Sequence, residues 1–362
     1  MLTGGRHGIR EPKNEGKCDG DQREYSFRMQ IDNEDELFLS KEEPLDGFVP
    51  WTASDMLSTT RLGCRQCGSI VLDSPSLYHT DSINECPAGW VWKDLPSGNW
   101  AEMMDFWHCH KPDTEKEDTQ DAAIRVPEDK NATVKGYGAA NQVIANPGIV
   151  LVDVATFLVS EVDCSGLKQI QSEDIQKPSL DLQTEIHCEN CNTLVGVEDI
   201  VSRGWRLFKT SLAASTKALK EDKGGTDWHT QSTETVVAAQ LLELIEREST
   251  RRFVIHSGQK EGLLIWVFNP DLWYTNSSTT HSITAQRAMK ILFQTVANVD
   301  EMLNPESGKA SSLSLEELRL PANVFSAVLT ALEGSNEMLP LSARRFREWR
   351  VGVMHRFVRS NA

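Results

Sequence analysis

GCRQCGSIVLDS at residues 63–74 and IHCENCNTLVGVED at residues 186–199 are two versions of one phrase. Each has two cysteines at C-x-x-C spacing, a small polar residue, and then a strand-like apolar run. A tight turn of this kind aims both sulfurs at one point, and the turn's backbone amides stabilise thiolate charge. Two such knuckles facing each other give a tetrahedral four-thiolate shell, which is a closed structural zinc site. The candidate ligands are Cys64, Cys67, Cys188 and Cys191. The knuckles are far apart in the chain, but two hairpins that neighbour each other in a sheet meet across a long insertion. Two other readings compete: buried free cysteines, or a redox pair. A redox C-x-x-C opens a helix, and neither pair has a helical pattern behind it.

Outward from the knuckles, period-two alternation dominates the first two hundred residues. Tyr25, Phe27, Met29 and Ile31 alternate with polar residues, as do Trp90 and Trp92 with their neighbours. ELFL at 36–39 and GFVPW at 47–51 read as further short strands. NPGIVLVDVATFLVS at 146–160 is apolar on both alternations, the mark of a strand covered on both faces. GWRLFK at 204–209 alternates again. The character changes after residue 212. KALKEDKGGTDWH is a charged, glycine-bearing linker. In TETVVAAQLLELIERES, Val237, Leu241, Leu244 and Ile245 share one helix face, with Ser232 or Thr233 as the N-cap. RRFVIH and GLLIWVFNP form a hairpin across SGQKEG. ITAQRAMKILFQTV at 283–296 reads as a helix, and Ser314 with Glu317 as a capping box that starts another. A last helix is expected over 342–358. Phe346, Trp349, Val353 and Phe357 would line its buried side and the arginines the rest, making it an internal docking element.

The expected fold class is therefore α+β, a strand-rich zinc-containing N-terminal region with an α+β C-terminal region. The divisions are a disordered tail at 1–23, the strand-rich region at 24–212 with an acidic insertion at 113–140, a linker at 213–229 and the C-terminal region at 230–362. The 362 residues carry a formal net charge of −16, which repels phosphate backbones, so no direct nucleic-acid binding is expected. The opening residues are polar, and the longest apolar stretch in the second half, LLIWVF, is too short to span a bilayer. No membrane partner and a cytoplasmic and nuclear address follow, where thiols stay reduced.

Cys109 is a different case. It lies between His108 and His110 in DFWHCHKP. A neighbouring imidazolium lowers a thiol pKa and makes a nucleophile, so Cys109 is a candidate catalytic residue. A metal ligand and a core thiol beside Trp107 are the other readings. Phosphate-binding GxxxxGK[ST], GxSxG and HExxH motifs are missing.

Taken together, LPSGNWAEMMDFWHCHKP at 95–112, the two knuckles, RAMKILFQ at 287–294 and LPLSARRF at 339–346 resemble the HECT-like E2-binding proteins of the ubiquitin system. The resemblance spans roughly residues 25–358 and suggests a fungal-type member. It implies an E3 ubiquitin ligase, or a ligase-like protein, that binds a ubiquitin-conjugating enzyme (E2). It makes the C-terminal region HECT-like. It also implies a link to the cleavage endonuclease that forms mRNA 3′ ends, so a second reading is a non-catalytic partner or stabiliser of that nuclease. A true HECT ligase carries ubiquitin as a thioester near its C-terminus. Here no cysteine follows Cys191. If ubiquitin is carried covalently, Cys109 is the remaining candidate.

Overall fold

Alternating apolar residues need a second layer to cover them, and the chain supplies it with sheets first and helices later. The computed structural model describes residues 45–73, 89–95, 143–171, 184–215, 228–275, 285–304 and 315–359. All of them fall in one compact unit, Glu42–Ala362. The expected tail at 1–23, the Tyr25–Ile31 and ELFL strands, the acidic insertion and Cys109 lie outside the described residues.

A one-turn helix, α1 (Leu45–Phe48), opens the described chain. Ten strands follow: β1 (Arg61–Cys64), β2 (Ile70–Leu72), β3 (Val91–Asp94), β4 (Ile149–Val152), β5 (Thr156–Val159), β6 (Leu167–Gln171), β7 (Thr184–Cys188), β8 (Leu194–Asp199), β9 (Gly204–Phe208) and β10 (Leu212–Ser215). They make a three-stranded sheet in the order β10-β1-β2 and a seven-stranded sheet in the order β3-β4-β5-β9-β8-β7-β6. The two share one core, in which Leu62, Val71 and Leu212 meet Phe157, Ile186 and Leu207. These six side chains are fully buried, and each contributes roughly 1.5–3 kcal/mol. The stretch at 146–160 is a hairpin and not one strand. Asp153 makes its turn, accepting from the amides of Ala155 and Thr156 at 2.7 and 2.6 Å.

The second half begins with α2 (Thr233–Glu248), capped by Ser232, whose side chain accepts from the Thr235 amide. Next come β11 (Arg252–His256), β12 (Gly262–Tyr274), β13 (Gln286–Val296), the short α3 (Val299–Leu303), β14 (Glu316–Arg319), α4 (Ala322–Met338), β15 (Arg345–Phe346) and β16 (Trp349–His355). The sheet order is β14-β11-β12-β13-β16-β15, antiparallel except where β14 runs parallel to β11. Helices α2 and α4 cover one face through Val237, Leu241, Val328 and Leu332 against Phe253, Ile265, Ile291 and Phe293. The architecture is sheet-rich α+β, as the alternation in the sequence indicates. No helix among the described residues is long and apolar enough to cross a membrane.

Four local expectations are corrected. GFVPW is no strand. Its first residues end α1, and Phe48 and Val49 are buried in the core beneath the helices of the second half. Residues 286–296 form strand β13, because β12 and β16 hydrogen-bond it on both sides. Glu316–Arg319 is a strand that completes the edge beside β11, and Ser314 lies outside the described residues. The expected last helix is the β15–β16 hairpin. Its turn is made by Arg347 at φ 55°. Gly352 sits at mid-strand because a Cβ there would lie 2.9 Å from a Leu332 methyl of α4.

Candidate metal centre

Each knuckle is built by the same backbone bonds. In the first, the Gly68 amide donates to the Cys64 carbonyl and the Cys64 amide to the Ser69 carbonyl, both at 2.8 Å. In the second, the Asn192 amide donates to the Cys188 carbonyl and the Cys188 amide to the Thr193 carbonyl, both at 2.9 Å. The residue after the second cysteine takes a left-handed conformation in both, Gly68 at φ 73° and Asn192 at φ 58°. Glycine and asparagine are the residues that accept this conformation most readily.

β1 delivers Cys64 and β7 delivers Cys188, and the two turns face each other. Cys64 Sγ lies 3.6 Å from Cys191 Sγ, and Cys67 Sγ lies 3.6 Å from Cys188 Sγ. All four sulfurs are within 4.8 Å of one another. A tetrahedron with metal–sulfur bonds of about 2.3 Å has sulfur–sulfur edges of about 3.8 Å. The donor set therefore fits one metal ion and is compatible with zinc. Four soft sulfurs fill a tetrahedral shell and leave no open position for a reacting group, so the arrangement is architectural.

The four thiols differ in a paired way. Cys64 and Cys188 are fully buried. Burial pushes Cys64 up to about 12, against the amides of Cys67 and Gln66, which favour its thiolate. Burial likewise raises Cys188, against the amides of Cys191 and Asn190. At the surface, the Ser69 hydroxyl, 3.2 Å away, leads in pulling Cys67 down to about 5, with help from the Asn190 side chain. Thr193 does the same for Cys191 at 3.2 Å and lowers it. Each knuckle thus carries one thiol that ionises readily and one that needs a cation beside it. A divalent metal held by the quartet would supply that cation, and its binding would release the protons.

The surroundings fix both turns. The Arg65 amide donates to the Ser211 carbonyl at 2.9 Å, and its guanidinium reaches the carbonyls of Thr210 and Gln231. The Glu189 amide donates to the Gly166 carbonyl at 2.9 Å. His187 sits beside the second knuckle, with one ring nitrogen 3.0 Å from the Asn192 carbonyl and the other 2.8 Å from Glu185. Cys164 stands apart from the quartet. Burial, with Asp163 and Glu161 adding, pushes its thiol up to about 12. The structure thus brings together Cys64, Cys67, Cys188 and Cys191, whereas Cys109, Cys18 and Cys86 lie outside the described residues. The sequence reading missed Ser69, Thr193 and Asn190 as thiolate partners. The signal was present in the matched Ser and Thr two places after each second cysteine.

Comparison with known proteins places this centre in context. Residues 5–351 match the model of a family described as HECT-like ubiquitin-conjugating enzyme (E2)-binding. An uncharacterized protein of Schizosaccharomyces pombe is 23% identical over 85% of this chain and 78% of its own length. An uncharacterized protein of Saccharomyces cerevisiae is 25% identical over 72% of this chain and 62% of its own length. A Homo sapiens protein named as an E3 ubiquitin-protein ligase is 23% identical over 80% of this chain and 71% of its own length. No solved structure matches the chain.

Proposed function

Because the chain belongs to the HECT-like ubiquitin-conjugating enzyme (E2)-binding family, we propose that it is a ligase-like scaffold that holds an E2 close to the protein to be modified. The observation that carries this reading is the family match over residues 5–351, joined by a relative named as an E3 ubiquitin-protein ligase. The cysteine inventory supports the scaffold form of the activity. Within residues 5–351, which the family model covers, no cysteine follows Cys191. Four of the described thiols face one metal-sized point, and Cys164 is a half-buried thiol pushed up to about 12. Ubiquitin then passes directly from E2 to substrate. The thioester carbon–sulfur bond on the E2 breaks, an amide bond to the substrate amine forms, and the amine proton leaves on the released E2 thiol.

Cys64, Cys67, Cys188 and Cys191 would hold a structural zinc ion, which supplies cross-linking charge and no reactive position. By tying β1 to β7 it fixes the three-stranded sheet against the seven-stranded one. A centre of reduced thiols fits a cytosolic or nuclear address. The matched relatives' names give no support to an mRNA 3′-end nuclease as partner, and that reading is not part of the proposal.

The test is incubation of the full chain with E1, ATP, ubiquitin and a panel of E2s. The expected result is capture of at least one E2, no thiol-sensitive ubiquitin adduct on the chain, and unchanged capture by Cys109→Ser. Failure to capture any E2 would sink the reading. A thiol-sensitive adduct lost in Cys109→Ser would replace the scaffold mechanism with a covalent one.

A further inference from the structure

The six-stranded sheet has one face under α2 and α4. Part of the other face is covered by α3, where Val299 packs on Val254 and Val296. The rest carries a layer of rings and cations. Register places Arg252, Trp266, Leu292 and Val351 in one row across β11, β12, β13 and β16. Trp349 follows two residues before Val351 on the same face, and Phe346 is its cross-strand partner in the hairpin. The ring centroids run Phe346 to Phe268 at 6.2 Å, Phe268 to Trp266 at 5.5 Å and Trp266 to Trp349 at 6.3 Å. Arg252 lies over Trp266 at 5.0 Å, Lys290 over Phe268 at 5.4 Å and Arg347 over Phe346 at 5.7 Å. Phe268 and Phe346 are 44% and 45% exposed.

Among the described residues, Arg252, Lys290 and Arg347, the cations that lie over the rings of this face, have no carboxylate partner. Arg350, at the hairpin's base, is neutralised by Glu333 of α4 at 2.9 Å. Glu348 is the one acid of the hairpin. This is a cationic surface on a chain whose net charge is −16, so it attracts an acidic partner while the remaining surface repels one.

We propose that this face docks an acidic polypeptide segment of a partner protein, one with carboxylates interspersed among apolar side chains. Rings at a protein surface contribute large contact area, and arginine forks match carboxylates. The cations over the rings take up ring faces that stacked nucleobases would need, which argues against single-stranded nucleic acid. A nucleic-acid backbone would also carry its charge beyond the patch onto acidic surface, whereas an acidic protein segment is charged only locally. The proposal does not rest on the E2-scaffold reading, since it stands on the register, rings and cations of this face and not on the family match.

The experiment measures fluorescence anisotropy on the zinc-loaded full chain with three labelled probes: a glutamate–tyrosine copolymer, polyglutamate, and single-stranded oligouridylate. The copolymer is expected to bind at least about tenfold more tightly than either other probe. The Lys290→Glu/Arg347→Glu double variant should weaken it by about tenfold or more, with zinc content and thermal transition unchanged. Phe268→Ala with Phe346→Ala should do likewise with the charges in place. Tighter binding of oligouridylate would overturn the proposal in favour of a nucleic-acid surface. A self-association of the chain that the charge variants abolish would overturn it by assigning the face to a second copy. Copolymer affinity unchanged in both variants, or no binding at about 100 μM, would overturn it outright.

Discussion

Ser69 and Thr193 each place a hydroxyl 3.2 Å from an outer thiol of the quartet, and neither is a ligand. Partners of this kind orient a metal's ligands and typically account for about 10–100-fold in affinity. Ser69→Ala is therefore expected to lose zinc to a chelator at a free-metal level about 10–100-fold higher than the unaltered chain, while keeping its fold when metal is in excess. Competition with a chromophoric chelator reads this directly. Unchanged affinity would mean that the hydroxyl contact at 3.2 Å is incidental. At this scale the sequence was legible where chemistry is local. C-x-x-C spacing names its four cysteines because a turn is a local object. It is silent on Asn190, which reaches across from the other knuckle to Cys67, because that contact depends on how two distant turns face each other.

At the scale of elements, edge strands and helix ends carry the informative contacts. β15 has only two residues and leaves most of one side of β16 unpaired. Two buried side chains of α4 take over that edge. Ser335 Oγ accepts from the Val353 amide at 2.9 Å, and the Asn336 side-chain amide donates to the carbonyls of Val351 and Arg344 at 2.7 and 2.8 Å. Ser335→Ala strands a buried N–H, so a loss of about 1–3 kcal/mol is expected in denaturant unfolding; a loss within error would show that water replaces the hydroxyl. At the start of α2, Glu234 accepts from both the His355 ring and its amide, at 2.7 and 3.1 Å. The hydrogen bond to Glu234 holds His355 above its ordinary 6.5. Burial raises Glu234, but the bonds from His355 outweigh it and leave the carboxyl below 4.5. The histidine's contribution is complete below pH 6.5 and fades as pH rises through its folded value. The carboxylate's is present above 4.5 and fades as pH falls through its own folded value. The unaltered chain should thus lose stability relative to Glu234→Gln between pH 6.5 and the histidine's higher folded value. The loss is at most about 1 kcal/mol, since the pair is partly exposed and screened. Parallel slopes for the two chains would remove the pair as the cause. The elements misread from sequence share a physical reason. Residues 286–296 are rich in Ala, Met, Lys, Leu and Gln, good helix formers whose apolar positions also fit a helical period. Pairing on both sides overrode that propensity. In the final hairpin, Gly352 was the warning, since a mid-helix glycine is unfavourable.

For the whole molecule, the metal centre joins sheets that the chain order keeps apart. A zinc ion in the quartet would cross-link β1 to β7, so chelation at neutral pH should lower the thermal transition and expose Trp51, Trp90 and Trp205, which are buried in the core beside Cys64 and Cys188. Native mass spectrometry should find one zinc per chain, and Cys188→Ser should purify with little metal and aggregate. A folded chain of unchanged transition after complete chelation would show that the quartet is not metal-dependent. The α+β class was legible from alternation and one clear helix. The sheet order was not, because β14 joins β11 and β10 joins β1 through pairings that no local pattern announces. The separation of 121 residues from Cys67 to Cys188 also sets a clock during synthesis. A ribosome adding about 5–20 residues per second needs roughly 6–24 s to travel from one knuckle to the other. Throughout that interval Cys64 and Cys67 emerge as half a shell, with β1 still lacking its partner β10. The nascent chain therefore passes through a stage in which two thiols, one of them held near 5 in the finished fold, are open to oxidants and stray metals, and that exposure ends only when residue 191 has left the exit tunnel.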